Sequence, residues 1–199
     1  MIPFYRNIPI ICYILQMGKC NHCSGKISIR YLIVEIISAV ALLLSMKLLP
    51  NPEAGLFYWM FVHLLVLSII DQKWMKIPIS ILISMALGLI LYHLIWTADL
   101  MVPISGLIVG IGFIVFVVGL NWLIFQKQTM GYGDLIIVAI LGAWLGTIQI
   151  FITIFLASIL ALVVFLAFSI INGFNRSKSL PFVPFLSIAA ILIYLTNPL

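Results

Sequence analysis

The sequence predicts an all-α membrane protein, a bundle of about seven transmembrane helices. Three observations lead to that fold class. Of the 199 residues, 65% are hydrophobic and only 8% are charged, whereas a soluble domain carries about a quarter charged residues. The apolar residues occur in runs long enough to cross a bilayer, and the basic residues fall almost entirely on one side of those runs.

Apolar runs separated by polar or helix-breaking residues define the predicted spans. With roughly 17–25 residues taken as one crossing, the spans are 31–49, 55–70, 78–96, 103–125, 134–149, 150–172 and 182–198. The apolar stretch from Leu135 to Ile171 is too long for one crossing, so we divide it near Gly146 and Thr147.

Two pairs of glycines predict where helices pack. Gly106 with Gly110, and Gly142 with Gly146, each form a small-x-x-x-small pair within a span. Membrane helices associate through close backbone contact at such pairs, because lipid offers little apolar driving force. We therefore interpret these four glycines as packing residues.

The basic residues predict the orientation. If the N-terminus is cytoplasmic and the spans alternate, Lys47 alone falls outside. The other nine of the ten Lys and Arg residues fall inside: Arg6, Lys19, Lys26, Arg30, Lys73, Lys76, Lys127, Arg176 and Lys178. This positive-inside bias explains the net charge of +5 without a nucleic-acid partner, because the basic residues are scattered singly. We expect a multi-pass protein of the cell membrane, surrounded by lipid, with its N-terminus in the cytoplasm.

The first 30 residues are predicted to form a cytoplasmic N-terminal segment, followed by a transmembrane domain over 31–199. Cys20 and Cys23 form a C-x-x-C pair in the N-terminal segment, and such pairs are typical of thiols or of metal sites. A tetrahedral zinc site needs four ligands, so we expect the pair to be a partial site. Cys12 lies on an apolar stretch and is interpreted as a small hydrophobic residue.

Two aspartates are the candidate catalytic residues. Asp71 ends one apolar run and Asp134 begins another, on the same side of the membrane in the predicted topology. A carboxylate at membrane depth costs about a few kcal/mol, which indicates a function. Two facing carboxylates share one proton, so that one can activate water while the other polarises a carbonyl, as in aspartic proteases. The alternative is that both are interfacial aspartates reaching water, with Asp134 as a helix N-cap.

Gly131 and Gly133 precede Asp134 in the sequence Gly-Tyr-Gly-Asp. Glycine lets the backbone leave helical geometry and lets another backbone approach closely. We therefore assign these two glycines to the approach of an extended peptide substrate towards Asp134.

Six ordered motifs cover nearly the whole chain. They are Tyr5-Arg6-Asn7-Ile8-Pro9-Ile10, Gly18-Lys19-Cys20-Asn21-His22-Cys23, Ile27-Ser28-Ile29-Arg30-Tyr31 with Val34-Glu35, Asp71 with Ile77-Pro78, Met130-Gly131-Tyr132-Gly133-Asp134 with Leu141-Gly142-Ala143-Trp144-Leu145-Gly146, and Pro181-Phe182-Val183-Pro184-Phe185-Leu186. In these motifs the chain resembles the type IV prepilin peptidases, which are bacterial G-x-G-D aspartic proteases. It departs from the family pattern at Ile79, Ile136 and Val183, where the family commonly has Asp or Asn, Lys and Gly.

The resemblance implies an endopeptidase that removes the leader peptide of prepilin-like precursors (pilin, pseudopilin or competence proteins) at the cytoplasmic membrane face. Asp71 and Asp134 would be its catalytic dyad within a peptidase domain over 31–199, with no cofactor for hydrolysis. The partner would be a precursor with a basic leader followed by a transmembrane helix.

Family members usually begin with a further transmembrane helix and an upstream C-x-x-C, so the resemblance implies an N-terminally shortened member. Cys20 and Cys23 would then supply half of a zinc site. We do not expect methylation of the product with S-adenosylmethionine, because family members use the N-terminal region for it and the resemblance implies that this region is shortened here.

Two other function classes stay open from the sequence. The first is a catalytically silent membrane protein that binds pilin-like helices or belongs to their assembly machinery, which the short N-terminal region motivates. The second is a small transporter, since paired intramembrane acids also relay protons. Both acids lie at one membrane face, and we find no internal repeat in the sequence, which disfavours a transporter.

Overall fold

The computed structural model of the chain describes residues 8–21, 23–97, 100–126, 131–172 and 180–196. Its helices are α1 (Ile11–Leu15), α2 (Ile29–Leu48), α3 (Asn51–Trp74), α4 (Ile79–Tyr92), α5 (Met101–Phe125), α6 (Tyr132–Leu145), α7 (Thr147–Asn172) and α8 (Val183–Thr196), and a π-helical segment, His93–Thr97, continues α4. Over these ranges the only β pairing is an isolated bridge between Lys19 and Lys26. The predicted all-α class is confirmed.

Each of the seven predicted spans overlaps one of the helices α2 to α8, with boundaries that differ by a few residues. Within the part of the chain that the structure describes, five segments are long and apolar enough to cross a membrane: Ile29–Leu48, Asn51–Trp74, Ile79–Thr97, Met101–Leu120 and Thr147–Ile171. Helices α6 and α8 have 14 residues each. Such a helix rises about 21 Å, less than the ~30 Å hydrocarbon core of a bilayer. The protein is therefore a polytopic helix bundle that includes two short helices.

Contacts divide the chain into two compact units, with the boundary after Tyr58. In the first unit, a loop before α2 is closed by backbone hydrogen bonds. The N–H of Ile27 donates to the carbonyl of Gly18 at 2.8 Å, and the N–H of Cys20 donates to that of Gly25 at 2.8 Å. Helix α2 then begins after Ser28, whose hydroxyl accepts the N–H of Arg30 as an N-cap.

Glu35 on α2 holds the chain that precedes this loop. Its Oε2 accepts a hydrogen bond of 2.7 Å from the backbone N–H of Ile10. The intramembrane glutamate therefore satisfies a backbone donor of the N-terminal segment. Later in the same unit, the hydroxyls of Ser38 and Tyr58 lie 3.0 Å apart and join α2 to the beginning of α3.

Helix α6 lies at the centre of the second unit. It contacts α4, α5, α7 and α8, and every residue from Ile137 to Leu145 is buried. A helix that is apolar on all sides is stable in such a position, because protein surrounds it. Near its end, Trp144 stacks on Tyr194 of α8, with ring centroids 4.6 Å apart.

The two glycine pairs pack against each other between α5 and α6. A Cβ atom on Gly106 would collide with the carbonyl oxygen of Gly142, and one on Gly142 would collide with that of Gly106. A Cβ on Gly110 would lie 3.0 Å from the carbonyl oxygen of Val138. The predicted packing role of these glycines is confirmed.

Gly146 separates α6 from α7. Its backbone has φ 86° and ψ 179°, a conformation open essentially to glycine alone. Helix α7 begins at the next residue, Thr147. The predicted division of the long apolar stretch at this point is therefore correct.

Candidate active site

Asp71 lies in the last turn of α3 and is only 7% exposed. Its Oδ2 accepts a hydrogen bond of 3.1 Å from the backbone N–H of Val183, and the N–H of Phe182 also interacts with the carboxylate. Val183 is the first residue of α8. The first N–H groups of a helix have no partner within the helix, so the beginning of α8 offers Asp71 donors that are otherwise unused.

Asp134 lies in the first turn of α6 and is half-buried. Its carboxylate interacts with the backbone N–H of Gly131, and it lies within electrostatic range of Asp71. The N–H of Asp134 in turn donates to the carbonyl of Gly131 at 3.1 Å. The aspartate therefore closes its own helix terminus.

The two glycines before Asp134 have different surroundings. A Cβ on Gly133 would lie 2.8 Å from the Cβ of Ile77, which is closer than real side chains pack. Ile77 directly precedes Pro78 and α4, so Gly133 brings the beginning of α6 against the α3–α4 connection. Gly131 has an ordinary extended backbone with φ −78°, and a Cβ there would make an ordinary contact of 3.6 Å with Oδ2 of Asp134.

The structure thus gathers four of the predicted site residues, Asp71, Asp134, Gly131 and Gly133, around the beginnings of α6 and α8. The other two, Cys20 and Cys23, belong to the first unit and are described with it.

Zinc ligation by Cys20 and Cys23 depends on further ligands. Over the described ranges, no three His, Cys, Asp or Glu residues cluster as a metal site would require. Cys20 is half-buried and Cys23 is exposed, and His22 between them lies outside the described residues. Two thiolates do not complete a tetrahedral zinc site, so the described residues alone do not fit one.

Sequence reasoning missed three contributors to this site. The Val183 N–H is a backbone group that no residue type reveals, although the motif containing Val183 was noted. Ile77 was noted only as part of a motif. Ser68, one turn before Asp71, bonds through its hydroxyl to that of Ser187 on α8 at 2.9 Å. The sequence feature that could have indicated this contact is the presence of a serine in each of two apolar spans.

Comparison with known proteins decides the family. The model of the type IV leader peptidase family matches residues 58–166, more than half of the chain. The chain belongs to this family. A second model, the "Bacterial Peptidase A24 N-terminal domain", matches residues 1–48. The first model therefore includes Asp71 and Asp134 and the second includes Cys20 and Cys23, whereas Val183 lies beyond both.

Curated relatives within the type IV leader peptidase family carry the name prepilin leader peptidase/N-methyltransferase. The protein of Aeromonas salmonicida (strain A449) is 31% identical over 192 residues, which cover 92% of this chain and 64% of that protein. The Pseudomonas putida protein is 31% identical over 188 residues, which cover 93% of this chain and 65% of that protein. The Neisseria gonorrhoeae protein is 30% identical over 207 residues, which cover 97% of this chain and 67% of that protein. The chain thus spans about two thirds of the length of these relatives. No solved structure matches it significantly.

Proposed function

We propose that the chain is an intramembrane aspartic endopeptidase that removes the leader peptide of prepilin-like precursors at the cytoplasmic face of the cell membrane. The observation that supports this proposal is that Asp71 at the end of α3 and Asp134 at the beginning of α6 are close enough for their carboxylates to interact electrostatically. The name prepilin leader peptidase among the relatives supports the substrate class.

Hydrolysis would use the two carboxyl groups as one unit. One carboxylate takes a proton from water, which attacks the scissile carbonyl, while the protonated partner polarises the carbonyl oxygen. The proton then passes to the leaving amine. Because a coupled pair titrates together, neither aspartate is assigned a separate acid or base role. Such a dyad requires no metal, since a carboxylate activates the water.

The substrate would be a basic leader followed by an apolar helix, which docks laterally on the bundle through lipid. Cytoplasmic placement of the dyad follows from the asymmetry of the basic residues. Lys73 in the last turn of α3 and Lys76 in the α3–α4 connection are both exposed, and both follow Asp71 closely in the chain. Methylation of the product is not part of this proposal.

The test is cleavage of a co-expressed prepilin by Asp71→Asn and Asp134→Asn variants. Asparagine keeps the size and much of the hydrogen bonding but cannot exchange the catalytic proton, so we expect each variant to lose about 10²–10⁴-fold or more of the activity. The double variant should be no worse than either single variant, because residues that act as a unit are not additive. Conversion of the precursor to its shorter form is measured on immunoblots.

Glu53→Gln is the matched control, because Glu53 is a carboxylate in the first turn of the same helix α3, and it should keep full activity. Enzyme levels are compared in the same membranes. Full cleavage by either asparagine variant would refute the dyad. A wild-type protein that cleaves no prepilin would favour a silent binding protein instead.

A further inference from the structure

Two sets of hydrogen bonds join α3 to α8. At the beginning of α8, the N–H of Val183 donates to Asp71 at 3.1 Å. One helical turn further along α8, the hydroxyl of Ser187 lies 2.9 Å from that of Ser68, which is three residues before Asp71. Residue numbers rise along α8 while they fall along α3, so the two helices are antiparallel at this contact.

The serine pair, Ser68 and Ser187, shares one further acceptor. The carbonyl oxygen of Leu64 lies 2.7 Å from the hydroxyl of Ser68 and 3.4 Å from that of Ser187. Ser187 is only 4% exposed. A buried hydroxyl without a partner is costly, so sliding α8 along α3 would break this cluster and the bond to Asp71 together.

We propose, on the basis of the function proposed above, that α8 positions the catalytic aspartate: the N–H of Val183 holds Oδ2 of Asp71, and the serine pair fixes the height of α8 on α3. The N–H of Phe182 also interacts with this carboxylate, so two backbone donors at the beginning of α8 hold Asp71. Val183, Ser68 and Ser187 are positioning residues, since they act on the reaction through Asp71.

Val183→Pro removes the N–H at the position where a helix tolerates proline best. Proline is accepted as the first helical residue, because its missing N–H has no partner within the helix and its φ suits the helix. Val183→Ala and Val183→Gly are the matched controls, since both keep the N–H. They remove more of the buried side chain than proline does, so a pure packing role would make them the worse variants.

We expect kcat to fall about 10- to 100-fold for Val183→Pro. A fall of this size corresponds to the loss of one hydrogen bond to a charged group. KM should stay within about twofold, because the N–H of Val183 contacts Asp71 and not the substrate. Both controls should keep kcat within about threefold of wild type. Equal activity of Val183→Pro and Val183→Ala would overturn the proposal.

The serine pair gives a second series that leaves the N–H in place. Ser68→Ala should lower kcat several-fold, and Ser68→Thr, which keeps the hydroxyl at a half-buried position, should restore it. Ser158→Ala is the control, because that hydroxyl bonds only within α7, to the carbonyl of Ile154 at 2.7 Å. If Val183→Pro does not accumulate in the membrane, this series decides. Equal kcat for Ser68→Ala and Ser68→Thr then refutes the positioning role.

A cross-link separates this proposal from the proposed function. In a background with Cys12, Cys20 and Cys23 replaced by Ser, the pair Ser68→Cys with Ser187→Cys should oxidise to a disulfide and lose its labelling by a maleimide. The pair Ser68→Cys with Ile188→Cys should form no such disulfide, because Ile188 is 51% exposed whereas the buried Ser187 is the residue that contacts Ser68. The reverse pattern overturns the register, whether or not the protein cleaves prepilin. An inactive wild type with the expected cross-link refutes the proposed function alone.

Discussion

At the scale of single residues, the contact between Gly133 and Ile77 gives the G-x-G-D motif an intramolecular role. A Cβ on Gly133 would lie 2.8 Å from the Cβ and 2.9 Å from the Cδ1 of Ile77. Gly133→Ala should therefore push the beginning of α6 away from the connection that follows Asp71. Overpacking of this kind costs ~1–3 kcal/mol, and here it would separate the two aspartates.

We expect Gly133→Ala to reduce prepilin cleavage, and Ile77→Gly to restore much of it in the double variant, because glycine at 77 removes the three atoms that a Cβ at 133 would approach most closely. Each activity is compared in a double-mutant cycle with Ile77→Gly alone. Gly131→Ala is the control and should be milder, since its Cβ makes an ordinary 3.6 Å contact. If the double variant stays as impaired as Gly133→Ala, the glycine instead serves the approach of the substrate backbone.

The residues of the candidate site were predictable from sequence wherever the side chain itself carries the chemistry. Asp71 and Asp134 stand out because carboxylates are rare in apolar spans. The partners of Asp71 were not predictable in the same way. The N–H of Val183 is present in every residue except proline, and only the path of the chain decides which one meets a carboxylate 112 residues away.

At the scale of helices, the α5–α6 interface depends on glycine at particular positions. Gly106→Ala should lower the midpoint of thermal unfolding in detergent, because its Cβ would meet the backbone of Gly142 and neither helix can yield without losing the contact. Gly112→Ala on the same helix should leave the midpoint unchanged or raise it, because its Cβ meets nothing within 4 Å and alanine favours helix by about 1 kcal/mol. Equal effects of the two substitutions would contradict the predicted interface.

The N-terminal segment provides a second prediction at this scale. Its loop is closed by backbone hydrogen bonds from Cys20 to Gly25 and from Ile27 to Gly18. Changing Cys20 and Cys23 to Ser should leave both prepilin cleavage and the zinc content of the purified protein nearly unchanged. Zinc is measured by atomic absorption on matched preparations. Loss of a stoichiometric zinc would show that the pair completes a site with ligands from elsewhere.

Helix boundaries show where sequence reasoning reaches its limit. The division at Gly146 was predicted from length, and the structure supplies the cause, a positive φ that interrupts the helix. The predicted span over 134–149 nevertheless extends beyond α6, which ends at Leu145. Hydropathy records apolar character but not whether protein or lipid covers it, and α6 is covered by protein.

At the scale of the whole molecule, the orientation in the membrane remains a prediction from charge. Cysteines introduced at Asn51 and Met101 should react with a membrane-impermeant maleimide from outside the cell, and those at Lys26 and Lys76 should react only after permeabilisation. Met101 is 80% exposed, and the other three positions are exposed as well, so access depends on the side of the membrane alone. The reverse pattern would place the aspartates at the outer face and contradict a cytoplasmic peptidase.

The proposed site is completed late during synthesis of the chain. Asp71 and Val183 are 112 residues apart in the chain, and a ribosome that adds about 5–20 residues per second reaches Val183 roughly 6 to 22 s after Asp71. During that interval the nascent chain holds the aspartate without the amide that later orients it. If α8 positions Asp71 as proposed, a translation product released before that helix would be inert, and proteolysis would begin only after synthesis has passed Val183.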